Sequence, residues 1–496
     1  MPLLHWEYWN GVRDLPKPYV NATGIPTRML SVEVTGGVSL GNDCRLLELE
    51  IRHAPNEHGT AWLVMQLQAE VCKKFVEQTT IKDKIKIRVG KGSDKPVLFL
   101  GYVLEAAMEN RMDRSLLILD LADASYLQDL KKESRSYQNT RKKYQDILSA
   151  AYGSEGTVKL KDSLNKAIEK MVVQMDETNW EFAKRMASRF NVPLLSDLTA
   201  EKCSVFLGLK DGGNEMPLTT SRMESYVDAQ SFERVSKNDW RKKQAATRED
   251  FSGLRVESYD YAYLGDKIKV NGTSYFIRKV FAKLRGGMLR MTYDLAPKEA
   301  GFLAPAIMNS TCAGRILAAQ VKEVKKDQVQ VHLIDIDKQY DTSGDTWLPY
   351  ATAYSSKDGS GWYVMPEKGD YVRVLFPTAE ESDAYVSSAI NTAPVEKVRN
   401  KSFKAPGGKE LLLTDEGVEI ICEHQKIFVK LEKGKGISLV SSKNIEVSAD
   451  GDISLNAKGK VQILAKSGID LQAGSSHLKV LSNQVAMGGN AIKLGE

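Results

Sequence analysis

The chain has 496 residues, 42% of them hydrophobic and 27% charged, with a formal net charge of +5. That length predicts several domains, and so small a charge gives no argument for wholesale nucleic-acid binding. Five cysteines (Cys44, Cys72, Cys203, Cys312, Cys422) form no C-x-x-C pair, which points away from a disulfide or zinc framework and towards reduced thiols and synthesis in the cytoplasm.

In chain order, the N-terminal segment with Trp6, Glu7, Tyr8 and Trp9 lacks a basic stretch followed by an apolar run, and no window reaches a membrane span. A protein of this kind that acts outside its cell leaves by lysis or through a machine. Up to about residue 300, strands and helices mix. Ile85-Lys86-Ile87-Arg88-Val89, Val97 to Leu100 and Leu116 to Leu119 alternate or run apolar as strands do. Thr178-Asn179-Trp180-Glu181 fits a capping box, and Trp180, Ala183, Met186, Ala187 and Phe190 line one face of the helix it opens. That helix is expected to stop before Pro193.

A weak internal duplication crosses this region. Asp83-Lys84-Ile85-Lys86-Ile87 is echoed by Asp266-Lys267-Ile268-Lys269-Val270, and each is followed by two apolar strands, Val97 to Val103 and Leu116 to Leu121 in the first copy, Tyr275 to Val280 and Met288 to Leu295 in the second. Two similar β-barrels separated by a helical insertion explain the echo; chance recurrence of lysine-isoleucine alternation is the alternative. From about 312 to 392 short strands such as Val329 to Leu333 and Tyr371 to Phe376 suit a small closed barrel. Ala393 to Gly408 then reads as a mostly polar linker.

The tail repeats with a period of eight from Val429 to Ala473. Ile437, Ile445, Ile453, Val461 and Ile469 head successive octads, and Leu439, Val447, Leu455, Ile463 and Leu471 follow two places on, before a small residue and three turn residues. Strict alternation is the strand period, and an even repeat keeps the same face inward throughout. The octads are therefore expected to form a stack of identical short strands. A single-chain solenoid coil takes roughly 20 or more residues per turn, so eight supply one wall, and three chains winding together would close a prism without edges. With strands about 4.8 Å apart, eight or so octads make a rod of roughly 40 Å. An antiparallel meander within one monomer is the alternative.

Chemistry is sparse. His53 and His58 read as a solvated loop, and Asp335, Asp337, Asp341 and Asp345 as an acidic hairpin tip, because Tyr340 stands where a calcium loop needs glycine. No nucleophile elbow or phosphate-cradling glycine loop is present. His477 falls where an apolar residue is due; three copies could hold an ion on a fibre axis, or a one-residue shift could turn Leu478 and Val480 inward instead, with the register regained at Val485 and Met487.

The order of parts resembles the VgrG family of type VI secretion and the hub and spike proteins of contractile phage tails, including a phage late control D-like hub fused to a spike. Ser136-Tyr137-Gln138-Asn139-Thr140 with Asp146-Ile147-Leu148 looks like the family's "FQN…DIL" segment. Val173 to Phe182 with Arg185-Met186-Ala187 is similar to its "Q-x-x-E-T-D-W-x-F-x-x-R-L-A" signature. Trp347-Leu348-Pro349, Gly361-Trp362-Tyr363, Met365-Pro366 and Gly369-Asp370 with Val372 and Val374 resemble the spike-barrel pattern. The text after that barrel, Glu381-Ser382-Asp383-Ala384-Tyr385, departs from the family's usual acidic-glycine wording.

The resemblance implies a mainly β fold with an α+β N-terminal part. Residues 1–305 form a hub with two tube-like β-barrels and a helical insertion, 306–392 an OB-fold barrel, and 393–496 a linker and triple-stranded intertwined β-helix whose trimer core is the ten octad residues named above. It implies a homotrimer, six similar hub units matching a hexameric inner tube protein, baseplate proteins, a PAAR-type tip protein and effectors as partners, and transient contact with a target membrane, with no nucleic acid, metal or cofactor. The expected role is mechanical: made in the cytoplasm and assembled into a contractile particle, the protein joins tube to baseplate and punctures the target envelope. No effector domain is expected after the last octad. An envelope-degrading spike enzyme, cleaving peptidoglycan or glycan, is the alternative function; a receptor-binding fibre would need a further terminal domain.

Overall fold

The computed structural model describes residues 24–41, 43–90, 95–112, 114–210, 215–238, 246–342, 344, 346–393 and 397–491. Trp6 to Trp9, Asp345 and Pro394 lie outside them. The chain divides into two units, Met1–Thr392 and Ala393–Glu496. No helix of the described residues is long and apolar enough to cross a membrane.

The first unit opens with β1 (Ile25–Pro26), β2 (Leu30–Thr35), β3 (Arg45–His53), β4 (Thr60–Leu67), α1 (Ala69–Gln78), β5 (Lys84–Val89), β6 (Val97–Arg111) and β7 (Arg114–Ala122). An insertion follows: β8 (Lys132–Tyr137), α2 (Tyr144–Tyr152), β9 (Gly156–Leu160), β10 (Val172–Thr178), α3 (Asn179–Ser188), β11 (Leu194–Ser196) and β12 (Cys203–Leu207). Then come β13 (Met216–Pro217), β14 (Thr220–Val227), α4 (Ala229–Asn238), β15 (Ser252–Ser258), β16 (Lys267–Val270), β17 (Thr273–Arg285) and β18 (Met288–Ala296).

The duplication is a property of the fold. Strands pair in the order β2-β5-β6-β7-β4-β3 in the first half and β13-β16-β17-β18-β15-β14 in the second, the same path through six consecutive strands. Even the bulges coincide. The β6–β7 ladder slips between Val103 and Glu105, and the β17–β18 ladder between Ile277 and Lys279; the aligned pairs on either side are Tyr102 opposite Ala122 and Phe276 opposite Ala296. The echoed aspartates have one job: Asp83 accepts the Thr80 N–H and Asp266 the Tyr263 N–H, each at 2.8 Å, closing the turn that launches β5 or β16. Ile85, Ile87, Ile268 and Val270 then point inward with no exposed surface above 2%. The halves differ in where the helix sits, after β4 in the first and after β14 in the second, and in the β13–β16 pair, which is parallel. One sheet runs through both halves because β3 pairs with β17, His53 opposite Val280 and Glu50 opposite Lys283.

In the insertion the capping box forms as read: Thr178 Oγ1 accepts the Glu181 N–H at 3.0 Å and Glu181 Oε2 the Thr178 N–H at 2.9 Å. Trp180, Ala183, Met186 and Ala187 are buried. The helix ends at Ser188, earlier than Pro193 requires, since Asn191 turns the chain with φ 56°.

Residues 315–389 form a five-stranded barrel: β19 (Arg315–Lys325), β20 (Gln328–Leu333), β21 (Leu348–Pro349), β22 (Tyr371–Phe376) and β23 (Tyr385–Ala389), in the order β21-β20-β19-β22-β23. Tyr350 bridges Val386 and closes it. In the Gly361-Trp362-Tyr363 motif a Cβ on Gly361 would lie 2.4 Å from the Tyr354 carbonyl oxygen at φ 141°, so only glycine permits that hairpin.

The second unit holds β24 (Lys401–Ala405), β25 (Lys409–Thr414), β26 (Gly417–Glu423), β27 (Ile427–Glu432) and β28 (Gly436–Ser441), then β29 (Gly468–Ala473), β30 (Ser476–Leu481) and β31 (Val485–Gly488). Two readings need correction here. The supposed linker contains β24, which pairs with β25. The octads are also not one uniform stack within the chain. β24 to β28 run as an antiparallel meander, β29 to β31 as a second, and residues 442–467 belong to no ladder. The octad turn at 433–435 reverses the chain, which period counting cannot distinguish from a turn that carries it onward.

Candidate functional site: an apolar face on the second unit

Registers across the first meander align one side chain set. Phe403 lies opposite Leu411, Leu411 opposite Ile420, Ile420 opposite Val429, and Val429 opposite Leu439. One row over, Leu413, Val418, Leu431 and Ile437 face one another. Directly opposed residues share a face, so this sheet presents nine large apolar side chains on one side, and Ile437 and Leu439 carry it into the octads. None of the nine is buried; Ile437 is 75% and Leu439 57% exposed. Among the described residues of this unit the only buried hydrophobic is Ile421.

The stretch that follows is barer still. Every residue from 442 to 468 is exposed, including Ile445, Val447, Ile453, Leu455, Val461 and Ile463, with Leu455 at 77%. Between residues 445 and 467 the described chain forms no backbone–backbone hydrogen bond with itself. A run of unpaired donors and acceptors beside an open apolar stripe is a template for strand pairing. In the terminal meander Ile469, Leu471, Leu478, Val480, Val485 and Met487 share a face. His477 lies opposite Gln472 and Gly488, on the other side. The one-residue shift is therefore what the structure adopts, and the imidazole does not join the apolar row. Among the described residues no group of three or more His, Cys, Asp or Glu could hold a metal ion.

The polar clusters of the first unit are structural. The acidic hairpin is tied down: Asp337 accepts from the Ser136 N–H at 2.7 Å, Asp335 from the Ala318 N–H at 2.6 Å, and Asp341 pairs with Lys142 at 3.0 Å. The histidine loop is not solvated. His53 ends β3 and is buried, its Nε2 3.0 Å from Ser196 Oγ, because β17 and the insertion close over it. His58 stacks on Trp180 at 4.3 Å and bridges Ser125 Oγ (2.6 Å) and Asp129 Oδ2 (3.1 Å). Hydroxyl, imidazole and carboxylate line up, yet Ser125 is 1% exposed and already donates to Asp123. That geometry locks the insertion rather than poising a nucleophile.

Burial, with Lys210 adding to it, pushes His53 down to about 3. The unfolded chain takes up its proton near 6.5 while the folded chain does not, so stability falls as pH drops from 6.5 towards 3, by about 1.4 kcal/mol per unit from this group. Asp123, raised by burial, acts in the opposite sense. Replacing His53 with Gln should flatten the acid limb of a denaturation-midpoint profile; an unchanged slope would refute the assignment.

A buried ionic knot joins the insertion to the small barrel. Arg185, 1% exposed, donates to Glu177 Oε1 (2.6 Å) and Oε2 (2.7 Å), to the Val173 carbonyl (2.6 Å) and to Glu381 Oε1 (2.5 Å), while Arg189 holds Glu381 Oε2 at 2.7 Å. Burial pushes the Glu381 carboxyl up, but the Arg185 and Arg189 charges outweigh it and hold it below the usual range.

The first unit thus joins a duplicated six-strand half-barrel to an OB barrel, a fold shared with type VI secretion and phage tail proteins. Residues 313–390 match the type VI secretion system/phage-baseplate injector OB domain. The fold is similar to that of the E. coli c3393 protein, a type VI secretion component described as structurally similar to the T4 bacteriophage tail proteins gp27 and gp5. That match has 13% identity, covers 73% of this chain and all of that one, and has a TM-score of 0.51. A chain of the lidded Francisella PdpA–VgrG complex is also similar (9% identity, 83% of this chain and 79% of that one, TM-score 0.54), as is a chain of the half-lidded complex (8%, 83% and 87%, 0.53). No curated protein sequence matches the chain significantly.

Proposed function

We propose that this chain is the central hub and spike of a contractile injection machine, joining the inner tube to the baseplate and piercing the target envelope when the sheath contracts. The observation that carries it is the second unit, whose apolar face and unpaired strand stretch have no cover among the described residues of that unit. Three copies wound about an axis would bury Ile437, Leu439, Ile445, Val447, Ile453, Leu455, Val461, Ile463, Ile469 and Leu471 against one another, each contributing about 1.5–3 kcal/mol relative to exposure, and would pair the open backbone. Residues 1–305 then act as hub, 306–392 as neck and 393–496 as shaft. The duplicated hub half-barrels support six similar units per trimer, facing a hexameric tube protein.

Baseplate proteins, a PAAR-type tip protein and effector cargo are the partners this role requires, and the complex of Francisella VgrG with PdpA supports a cargo or accessory partner. The work is transmission of force, without catalysis. Native mass spectrometry should find three copies of the 55.2 kDa chain; a monomer at micromolar concentration would sink the proposal. Turnover of purified peptidoglycan by the trimer would instead favour a spike enzyme.

A further inference from the structure

A run of hydrogen bonds crosses from the first half-barrel into the insertion, and its hydrogens can be counted. Asp123, just after β7, has no exposed surface and accepts four of them. Its Oδ2 takes the Gly59 N–H at 2.8 Å and the Ser196 hydroxyl at 2.6 Å, and its Oδ1 takes the Ser125 N–H at 2.9 Å and the Ser125 hydroxyl. A serine has one hydroxyl hydrogen. With that hydrogen committed to Asp123, each serine oxygen must accept from the imidazole beside it, Ser196 from His53 Nε2 at 3.0 Å and Ser125 from His58 Nδ1 at 2.6 Å. His53 meets the demand as a neutral ring, since its Nδ1 has no partner and needs no hydrogen.

His58 cannot do the same. Its Nε2 faces Asp129 Oδ2 at 3.1 Å, while Asp129 Oδ1 accepts the Thr178 hydroxyl, whose oxygen in turn takes the Glu181 N–H that caps α3. A carboxylate offers no hydrogen, so Nε2 supplies one as well, and only an imidazolium donates from both ring nitrogens. Burial pushes the Asp129 carboxyl up, but the His58 and Thr178 hydrogen bonds and the His58 and Lys184 charges outweigh it and hold it below the usual range. The ring also lies over Trp180 at 4.3 Å, an electron-rich face that suits a cation. One rival uses the same atoms. Burial pushes the Asp123 carboxyl up against the pull of its hydrogen bonds, and a proton held there would reverse the Ser125 hydroxyl and make His58 Nδ1 an acceptor. Four donors converging on one carboxylate disfavour that arrangement.

We infer that His58 carries hydrogen on both ring nitrogens and stands as a cation between Asp123 and Asp129, fastening the helical insertion to the first half-barrel. The three charges straddle that joint. His58 leads into β4, and Asp123 and Asp129 follow β7, whereas Ser196, Thr178 and Trp180 belong to the insertion. Helix α3 is then gripped by ions at both ends, at its cap by the His58 cluster and in its last turn by Arg185, which donates to Glu381 of the small barrel. That makes α3 a strut between half-barrel and barrel, with charge-assisted bonds at each foot. Nothing in this joint depends on the number of copies.

Magic-angle-spinning NMR of the full chain, with histidine labelled in both ring nitrogens and kept in neutral buffer, reads the charge directly. The His58 signals, identified by their absence in His58→Gln, should show hydrogen on both nitrogens; one bare nitrogen overturns the inference. Hydrogen exchange of the α3 amides reads the fastening. His58→Gln should speed it roughly 10- to 100-fold, as expected for losing bonds to charged groups. Adding Asp129→Asn should slow it again, because the second change removes the carboxylate left without its cation. Parent-like exchange in His58→Gln, or faster exchange in the double variant than in the single one, would show that no cation holds the insertion and would overturn the inference whatever the strength of the remaining contacts.

Discussion

Ile453→Asp is expected to abolish the shaft and leave the first unit folded. In the isolated chain Ile453 is 54% exposed and makes no ladder, so a carboxylate there costs a monomer almost nothing. In a threefold shaft the same change sets three like charges around one axis, with several kcal/mol of desolvation each and the loss of about 1.5–3 kcal/mol of burial per chain. The contrast makes the substitution diagnostic. Native mass should shift from trimer towards species joined only through the hub, or to monomer, and the highest-temperature transition should vanish while the hub transition stays. Unchanged assembly and melting would place Ile453 at the surface of the finished particle.

Glu381→Ala should be the most damaging single change in the first unit. It strips Arg185 of one of its two carboxylate partners and Arg189 of the carboxylate it holds, leaving a guanidinium that is 1% exposed under-compensated. Breaking one side of a buried pair typically costs about 3–5 kcal/mol. Because Glu381 is held below its ordinary range near 4.5, its contribution is present above that value and is lost as pH falls through the depressed one. Urea midpoints at neutral pH should drop in Glu381→Ala, with the difference from the parent shrinking in acid. Equal midpoints at pH 7 would show the knot to be inert.

Much of this was legible in the sequence because it rests on local chemistry. Thr178 and Glu181 cap a helix wherever they meet, the aspartates before β5 and β16 close the same turn, and counting along the octads of 429–473 finds which apolar residues share a face in the strands that form, Ile437 with Leu439 and Ile469 with Leu471. What stayed hidden depends on distance. Nothing near Glu381 in the sequence says that Arg185, 196 positions away, will donate to it. His53 and His58 sit in a polar-looking run beside Pro55, yet β17 and Trp180 cover them. The direction of successive tail strands was also beyond reach, since a three-residue turn can reverse a chain or wind it forward with the same residues, and only partners decide.

The open ladder between residues 445 and 467 also sets an order of events. A strand with bare backbone and greasy side chains, released singly, meets strangers as readily as its siblings, and at cellular crowding that is an invitation to aggregate. In the proposed trimer, three tails tethered to an already closed hub would instead meet at an effective concentration in the millimolar range for a short flexible tether. Zippering of the proposed shaft would therefore be a late, near-unimolecular step, and a weakened hub should show first as insoluble protein rather than as blunt particles.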